Sequence, residues 1–289
     1  MIAVKRILVP TDFSETSDAA LRFGIGLCQA FNARLYLLHV PGEAGVNFEA
    51  DFPTVTFENA LGEHLDTLVS PDEAKRLHPE YALRLGVPAD EIVRYAFQRD
   101  IDLIVMGTHG RSGFDRLMLG STTETLLHKA PCPVLTVPAH TPDASSVSAP
   151  FTRVLCAVDF SPGSLRALAL AESLAGEAAA NLNVIHVLEP ASVFEPVAVA
   201  PDGLPVSGEL QRAARHRLQE LVKPDTRAFA DVDETVSAGK PYQEILRAAT
   251  EQGSDLIVLG VAGHHLAGFG STTTHVVREA ECPVLTVRG

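Results

Sequence analysis

The feature that most constrains this chain is an internal repeat, because its 289 residues contain one unit written twice. RILVPTDFS at 6–14 returns as RVLCAVDFS at 153–161, and CPVLTV at 132–137 returns unchanged at 282–287. Self-similarity on this scale indicates two copies of one fold along the chain. Each copy is long enough to build a hydrophobic core of its own.

The repeat also sets the expected domain boundaries. Between its two ends, GVPADEIVRYAFQRDIDLIVMG at 86–107 matches GKPYQEILRAATEQGSDLIVLG at 239–260. A segment rich in Pro, Ser and Ala separates the two copies, as expected of a linker. We therefore expect one domain over residues 1–139, a linker over 140–150 and a second domain over 151–289.

Short apolar runs alternate with helical patterns in each copy. In the first copy we expect strands near residues 4–10, 34–40, 79–85, 101–106 and 133–137. We expect helices near 16–30, 58–75, 88–98 and 121–129, the first of them capped by Ser14. Continuously apolar runs such as DLIVM are typical of strands buried on both faces. The pattern predicts an α/β fold with two tandem doubly wound domains, each a parallel sheet flanked by helices.

Composition narrows the function classes. The chain carries a formal charge of −13, divided evenly between the copies, and has no cluster of Lys and Arg, so we expect no nucleic-acid binding. No apolar run reaches the ~20 residues of a membrane helix, and the start lacks a signal-peptide pattern, which favours a cytoplasmic protein without membrane contact. Four cysteines without a CxxC pair are expected as buried free thiols, namely Cys28, Cys132, Cys156 and Cys282.

The stretch GTHGRSGFDRLMLGS at 107–121 follows a buried strand and precedes a helix. Glycine at Gly107 allows positive φ or the close approach of a ligand. Gly120, Ser121 and Thr122 open the helix, where backbone N–H groups and hydroxyls suit phosphate oxygens or a phosphate-bound Mg²⁺. The pattern predicts a phosphate cradle, and the alternative is an ordinary loop with Ser121 as the N-cap. No Lys follows Gly120, so this is not a P-loop.

The glycine spacing resembles the nucleotide motif of the universal stress protein family, in which Gly, two residues, Gly, nine residues, Gly and Ser/Thr follow in order. Gly107, Gly110, Gly120 and Ser121 match it, and the resemblance extends over nearly the whole chain through VPTDFS, LHV and CPVLTV. It implies an open five-stranded parallel sheet in the order 3-2-1-4-5 in each domain. It also implies ATP, with Mg²⁺, as the ligand of a stress-response protein.

The resemblance places Asp12 at the adenine–ribose end of ATP and the backbone of Val40 against adenine. The expected nucleotide-binding residues are Pro10, Thr11, Asp12, Val40, Met106, Gly107, Gly110, Arg111, Gly120, Ser121 and Thr122. Asp12 has a structural alternative of equal weight, in which its carboxylate accepts from backbone N–H groups of the turn.

The second copy has equivalent residues but a shorter glycine loop. The residues expected at this second site are Asp159, Val187, Gly260, Gly263, Gly270, Ser271 and Thr272. Only six residues separate Gly263 from Gly270, and the arginines Arg111 and Arg116 of the first copy have no counterpart. We therefore expect the first domain to bind ATP, and the second to bind weakly, to bind something smaller or to stay empty.

Other polar residues favour structural roles. His39 and His186 are penultimate residues of the second strand in each copy and are expected to be packed and hydrogen-bonded. A metal site at His264 and His265 lacks a third ligand, and surface charge explains the acidic cluster Asp231, Asp233 and Glu234 as well as metal binding does. A response-regulator receiver would need an acidic pair after its first strand and a Lys after its fifth strand. A flavodoxin would need an aromatic-flanked flavin loop. Neither pattern is present.

Two function classes remain open. The first is a regulatory protein in which ATP biases conformation or partner binding. The second is a slow ATPase or another enzyme using the same pocket, although no residue is recognisable as its general base. The resemblance implies association through the CPVLTV strand, so the two copies are expected to pair as an intrachain pseudo-dimer. The longer middle segment at 188–208 could add a homodimer contact.

Overall fold

The computed structural model of the protein describes residues 4–41, 65, 67–108, 119–141, 151–189, 206–261 and 271–288. The chain divides into two compact units, one over Ile2–Pro150 and the other over Phe151–Gly289. Within the described ranges, no helix combines the length and apolar character needed to cross a membrane.

The first unit alternates strands and helices. Its elements are β1 (Arg6–Thr11), α1 (Glu15–Phe31), β2 (Arg34–His39), α2 (Pro71–Leu77), β3 (Glu80–Leu83), α3 (Pro88–Gln98), β4 (Leu103–Gly107), α4 (Ser121–Lys129) and β5 (Val134–Val137). The strands pair in parallel in the order β3-β2-β1-β4-β5, which confirms the expected topology. Of the helix expected near 58–75, residues 58–64 and 66 lie outside the described residues.

The second unit repeats this plan of alternating strands and helices. Its elements are β6 (Arg153–Ala157), α5 (Pro162–Ala178), β7 (Asn181–Leu188), α6 (Val206–Leu221), α7 (Pro224–Phe229), β8 (Val232–Ala238), α8 (Pro241–Gln252), β9 (Leu256–Val261), α9 (Ser271–Glu279) and β10 (Val284–Arg288). The strands are again parallel, in the order β8-β7-β6-β9-β10.

The central strands of each sheet are buried, as their continuously apolar sequences predict. Ile7, Leu8 and Val9 of β1 have no exposed surface. Helix α1 packs against β1 and β4 of the first sheet, and α3 and α4 pack against each other. The side chain of Ser14 accepts from the backbone N–H of Ser17 at 3.3 Å, which confirms the expected cap of α1.

Candidate functional site

The candidate nucleotide site of the first domain lies where three neighbouring strands end. Thr11 and His39 are paired at the ends of β1 and β2, and β4 lies on the other side of β1. The strand order reverses between β1 and β4, which is where doubly wound sheets bind ligands. The structure brings six predicted residues to these strand ends, namely Pro10, Thr11, Asp12, Val40, Met106 and Gly107. Gly110 and Arg111 lie outside the described residues.

Asp12 holds the turn between β1 and α1. Its Oδ1 accepts from the backbone N–H of Ser14 at 3.1 Å and from the Ser14 hydroxyl at 2.5 Å. The structural role that the sequence allowed for Asp12 is therefore present. These bonds involve one carboxylate oxygen, and they keep the side chain at the end of β1.

Thr11 ties the same turn to α1. Its hydroxyl lies 3.1 Å from that of Ser17, and it accepts from the backbone N–H of Phe13 at 3.0 Å. Thr11 and Ser17 are both buried, so this hydrogen-bonded pair is shielded from water. The two hydroxyls connect the strand end to the first turn of the helix and limit the movement of the segment that carries Asp12.

Gly107 is required by packing rather than by its backbone conformation. The described glycines with positive φ are Gly86, Gly239 and Gly253, so the expectation that Gly107 turns the chain at positive φ is wrong. A Cβ on Gly107 would lie 2.8 Å from the carbonyl oxygen of Thr16, because α1 packs directly against β4. The sequence predicted the close approach of a ligand to Gly107. In the structure, helix α1 of the same domain makes the close approach.

The start of α4 lies directly beyond β4. The backbone N–H of Gly120 donates to the carbonyl of Thr108 at 3.2 Å, and the Thr123 hydroxyl donates to the carbonyl of Gly107 at 3.2 Å. Gly120 is the N-cap and supplies no side-chain acceptor, so the expectation that Ser121 is the N-cap is wrong. Ser121 and Thr122 open the helix, and its first turn presents backbone N–H groups without a capping side chain.

The equivalent turn of the second domain follows β6 and has fewer of these hydrogen bonds. Asp159 accepts from the backbone N–H of Ser161 at 2.9 Å, and its own N–H donates to the Ser164 hydroxyl at 3.3 Å. Burial alone would raise the pKa of Asp159, but hydrogen bonds from Ser161 and Ser164 outweigh it and hold the pKa below its usual value. Val158 stands where the first domain has Thr11 and has no hydroxyl to bond.

The other residues predicted for the second site are only partly described. Val187 lies near the end of β7 and Gly260 within β9, and Ser271 and Thr272 begin α9. Gly263 and Gly270 lie outside the described residues. The geometry of the second glycine loop therefore stays a prediction from sequence.

The two histidines near the ends of β2 and β7 have structural partners. His39 Nδ1 lies 2.7 Å from the carbonyl oxygen of Thr11, and His186 Nδ1 lies 2.7 Å from that of Val158. The prediction that both are packed and hydrogen-bonded is confirmed.

The acidic cluster of the second domain shows no metal geometry. Glu234 forms an ion pair with Arg227. The described residues contain no group of three or more His, Cys, Asp and Glu side chains placed to hold a metal ion. His264 and His265 lie outside those residues.

Comparison with known proteins places both domains in one family. The model of the universal stress protein family matches residues 3–138 and 150–288. A universal stress protein of Methanothermobacter thermautotrophicus is 52% identical over 137 residues, which cover 45% of this chain and 92% of that protein. One from Mycolicibacterium smegmatis is 25% identical over 298 residues, covering 98% of this chain and 96% of the relative.

A solved structure shares the fold over the full length. The crystal structure of a universal stress protein from Archaeoglobus fulgidus aligns with a TM-score of 0.70 at 24% identity, covering 99% of this chain and 98% of that one. The chain therefore belongs to the universal stress protein family and carries two of its domains in tandem.

Proposed function

We propose that the first domain binds ATP at the carboxyl ends of β1, β2 and β4, and that the bound nucleotide biases the conformation or the partner interactions of the protein. One observation carries the proposal. The first turn of α4 has no capping side chain and is joined to the end of β4 by the bond from Gly120 to Thr108. A helix start in this position is suited to phosphate oxygens.

The positions of the other groups support an extended ligand. Asp12 follows β1, the central strand of this edge, and Val40 follows β2 on the side away from α4. A nucleotide with its phosphates at Gly120, Ser121 and Thr122 would therefore extend its ribose and base toward Asp12 and Val40. The glycine spacing and the family membership favour ATP among such ligands.

The chemistry of the donors also fits a magnesium nucleotide. The protein has a formal charge of −13, so its overall field does not attract an anion, and local donors must do so. Backbone N–H groups at Ser121 and Thr122 supply such donors. Mg²⁺ is commonly held by substrate phosphates together with one or two protein oxygens. The hydroxyls of Ser121 and Thr122, which open α4 beside the proposed phosphates, are the oxygens that we assign to it.

Titration calorimetry with magnesium ATP tests this function. We expect one tight site per chain, lost in Gly120→Val and retained in the matched second-domain variant Gly270→Val. Gly120 has φ of −62° and ψ of 139°, which valine adopts without strain, so the substitution adds bulk at the phosphates and leaves the helix start in place.

Two equal tight sites, or no binding at all, would contradict the proposal. Phosphate release from the same samples separates binding from slow ATP hydrolysis. Turnover that disappears in Gly120→Val would establish the enzyme, whereas binding without turnover supports the regulatory role.

A further inference from the structure

We propose that His39 is a positioning residue of the nucleotide site. In this role it holds Phe13 in a left-handed backbone conformation and thereby fixes the direction of Asp12. The inference rests on the proposed function, because it assigns Asp12 to the nucleotide, but its structural part can be tested without a ligand.

Phe13 has an uncommon backbone conformation for its residue type. Its φ is 62°, in the region that a bulky side chain adopts only when the surrounding structure imposes it. The other left-handed residues besides glycine in the described ranges, apart from Phe160, are Asn32, His78, Asp100 and Ala179, and all of them follow the ends of helices. Phe13 instead follows a strand, directly after Asp12.

His39 provides the contacts that stabilise this conformation. The rings of Phe13 and His39 have centroids 4.5 Å apart. His39 Nδ1 lies 2.7 Å from the carbonyl oxygen of Thr11, and because that oxygen can only accept, Nδ1 carries the proton and donates. His39 as a whole is buried, with 6% of its surface exposed. It therefore links the end of β2 to the end of β1 on one side and supports the Phe13 ring on the other.

The second domain reproduces the same arrangement. Phe160 also has φ of 62°, its ring centroid lies 4.6 Å from that of His186, and His186 Nδ1 lies 2.7 Å from the carbonyl oxygen of Val158. Thr11 and Val158 differ in their side chains, but the histidine uses the backbone carbonyl, which every residue offers. The difference between Thr11 and Val158 alters the other hydrogen bonds of the turn, but the contacts made by the histidine are the same in both domains.

The consequence for the nucleotide site follows from the order of the residues. Asp12 and Ser14 flank Phe13, and they are bonded to each other across it. A change in the backbone of Phe13 must rotate at least one of them. His39 would then control the orientation of the Asp12 carboxylate without touching the nucleotide itself.

Calorimetry on substituted proteins tests this role. We expect His39→Leu to weaken ATP binding by about tenfold or more, equivalent to ~1.4 kcal/mol. His39→Asn can keep a donor near the Nδ1 position, so it should restore part of the affinity. His186→Leu removes the equivalent ring from the second domain and is the matched control, with unchanged affinity at the first site.

A double-mutant cycle separates positioning from general destabilisation. Phe13→Gly removes the ring and makes positive φ acceptable, so His39→Leu should cost less ATP affinity in that background than in the parent protein. Equal losses in both backgrounds would overturn the inference. An unchanged affinity in His39→Leu, in a protein that binds ATP, would also overturn it.

Amide hydrogen exchange gives a test that needs no nucleotide. We expect His39→Leu to accelerate exchange at Phe13 and Ser14 and to leave Phe160 and Ser161 unaffected. If the parent protein fails to bind ATP, the proposed function is wrong, and this exchange pattern still decides whether His39 fixes the turn. Unchanged exchange at Phe13 and Ser14 would contradict the positioning role.

Discussion

Gly260 lies against Ser164 with no room for a side chain, since a Cβ on this glycine would come within 2.3 Å of the Ser164 backbone nitrogen. The equivalent Cβ on Gly107 would lie 2.8 Å from the carbonyl oxygen of Thr16. Gly163 stands where the first domain has Thr16, and its carbonyl carbon would lie 2.4 Å from the Cβ on Gly260. The absence of a side chain at Gly163 lets α5 approach β9 more closely than α1 approaches β4.

We predict that Gly260→Ala destabilises the second domain more than Gly107→Ala destabilises the first. The atoms in the way belong to the backbone and cannot rotate aside, so we expect losses of about 1–3 kcal/mol, the larger at Gly260. Urea unfolding measures both. Gly176→Ala is the control, because Gly176 is an exposed helix residue with nothing within 4 Å of its added Cβ. The unfolding free energy of Gly176→Ala should rise by about 0.5–1 kcal/mol. Equal stability of the three variants would contradict this packing argument.

A second prediction concerns the aspartate that precedes the fourth strand of each domain. Asp102 accepts from the backbone N–H groups of Lys5 and Arg6 at 2.9 and 2.8 Å, and Asp255 accepts from those of Thr152 and Arg153 at 2.7 and 3.0 Å. Replacing either aspartate by alanine leaves two strand-end donors without this acceptor.

We expect each alanine variant to lose about 1–3 kcal/mol of unfolding free energy. Asparagine retains an acceptor and should lose less. Thermal or urea unfolding of Asp102→Ala and Asp102→Asn makes the comparison, with Asp255 as the parallel case. Equal losses for alanine and asparagine would show that the carboxamide oxygen does not replace the acceptor.

The sequence was informative where the structural cause is local. The continuously apolar strands and the Ser14 cap could be predicted because they depend on neighbouring residues. The repeat could be recognised because both copies are visible in the sequence itself. The role of Asp102 was missed although the aspartate recurs before both fourth strands, because its partner Lys5 lies 97 positions away. The reason for Gly107 was also misjudged, since a glycine that admits a helix and one that admits a ligand look alike in sequence.

The conformation of Phe13 could not be predicted for a different reason. Phenylalanine disfavours positive φ, so local preference gives the opposite expectation. Tertiary contact with His39 overrides that preference, and only the three-dimensional arrangement shows it. The recurrence of DFS together with a histidine near the end of the second strand in both copies was the signal present in the sequence.

A third prediction concerns the cysteines, which are all free; Cys28 and Cys156 are buried as expected, whereas Cys132 and Cys282 are half-buried. Burial raises the pKa of Cys28, Cys132 and Cys282 to about 12, and it raises the pKa of Cys156 further still. Because the thiolate is the reactive form, the folded protein should react slowly with a thiol reagent near pH 8, while denatured protein should react at all four sites. Rapid labelling of native protein would contradict this.

The same shifts give a pH dependence of stability. A raised folded pKa means that the native thiol keeps its proton where the unfolded one loses it. Stability should therefore fall as the pH rises above the ordinary thiol value of 9.0 toward 12. Unfolding free energies measured across this range should decline less in Cys28→Ala than in the parent protein. An equal decline in the two proteins would show that Cys28 makes no such contribution.

A last prediction concerns Glu172, a buried carboxylate of α5 that belongs to the second domain alone. It accepts from the backbone N–H of Lys223 at 2.9 Å and from the Thr226 hydroxyl at 3.1 Å, so it caps the short helix α7. The Lys223 ammonium lies 3.2 Å away, but that side chain is 65% exposed. The equivalent position of the first domain is the buried Ile25.

The carboxylate of Glu172 is buried, whereas the ammonium of Lys223 is exposed to water. The hydrogen bonds that Glu172 accepts from the Lys223 N–H and the Thr226 hydroxyl should therefore contribute more to the unfolding free energy than the ion pair does. We expect Glu172→Ala to lose about 1–3 kcal/mol, since it leaves the buried Thr226 hydroxyl and the part-buried Lys223 N–H without this acceptor. Lys223→Ala keeps the backbone N–H and removes only the exposed charge, so it should lose less than about 1 kcal/mol. Glu172→Gln keeps an acceptor and should fall between them. Urea unfolding ranks the three variants, and an equal loss in Lys223→Ala and Glu172→Ala would show that charge attraction, rather than capping, holds α7 against α5.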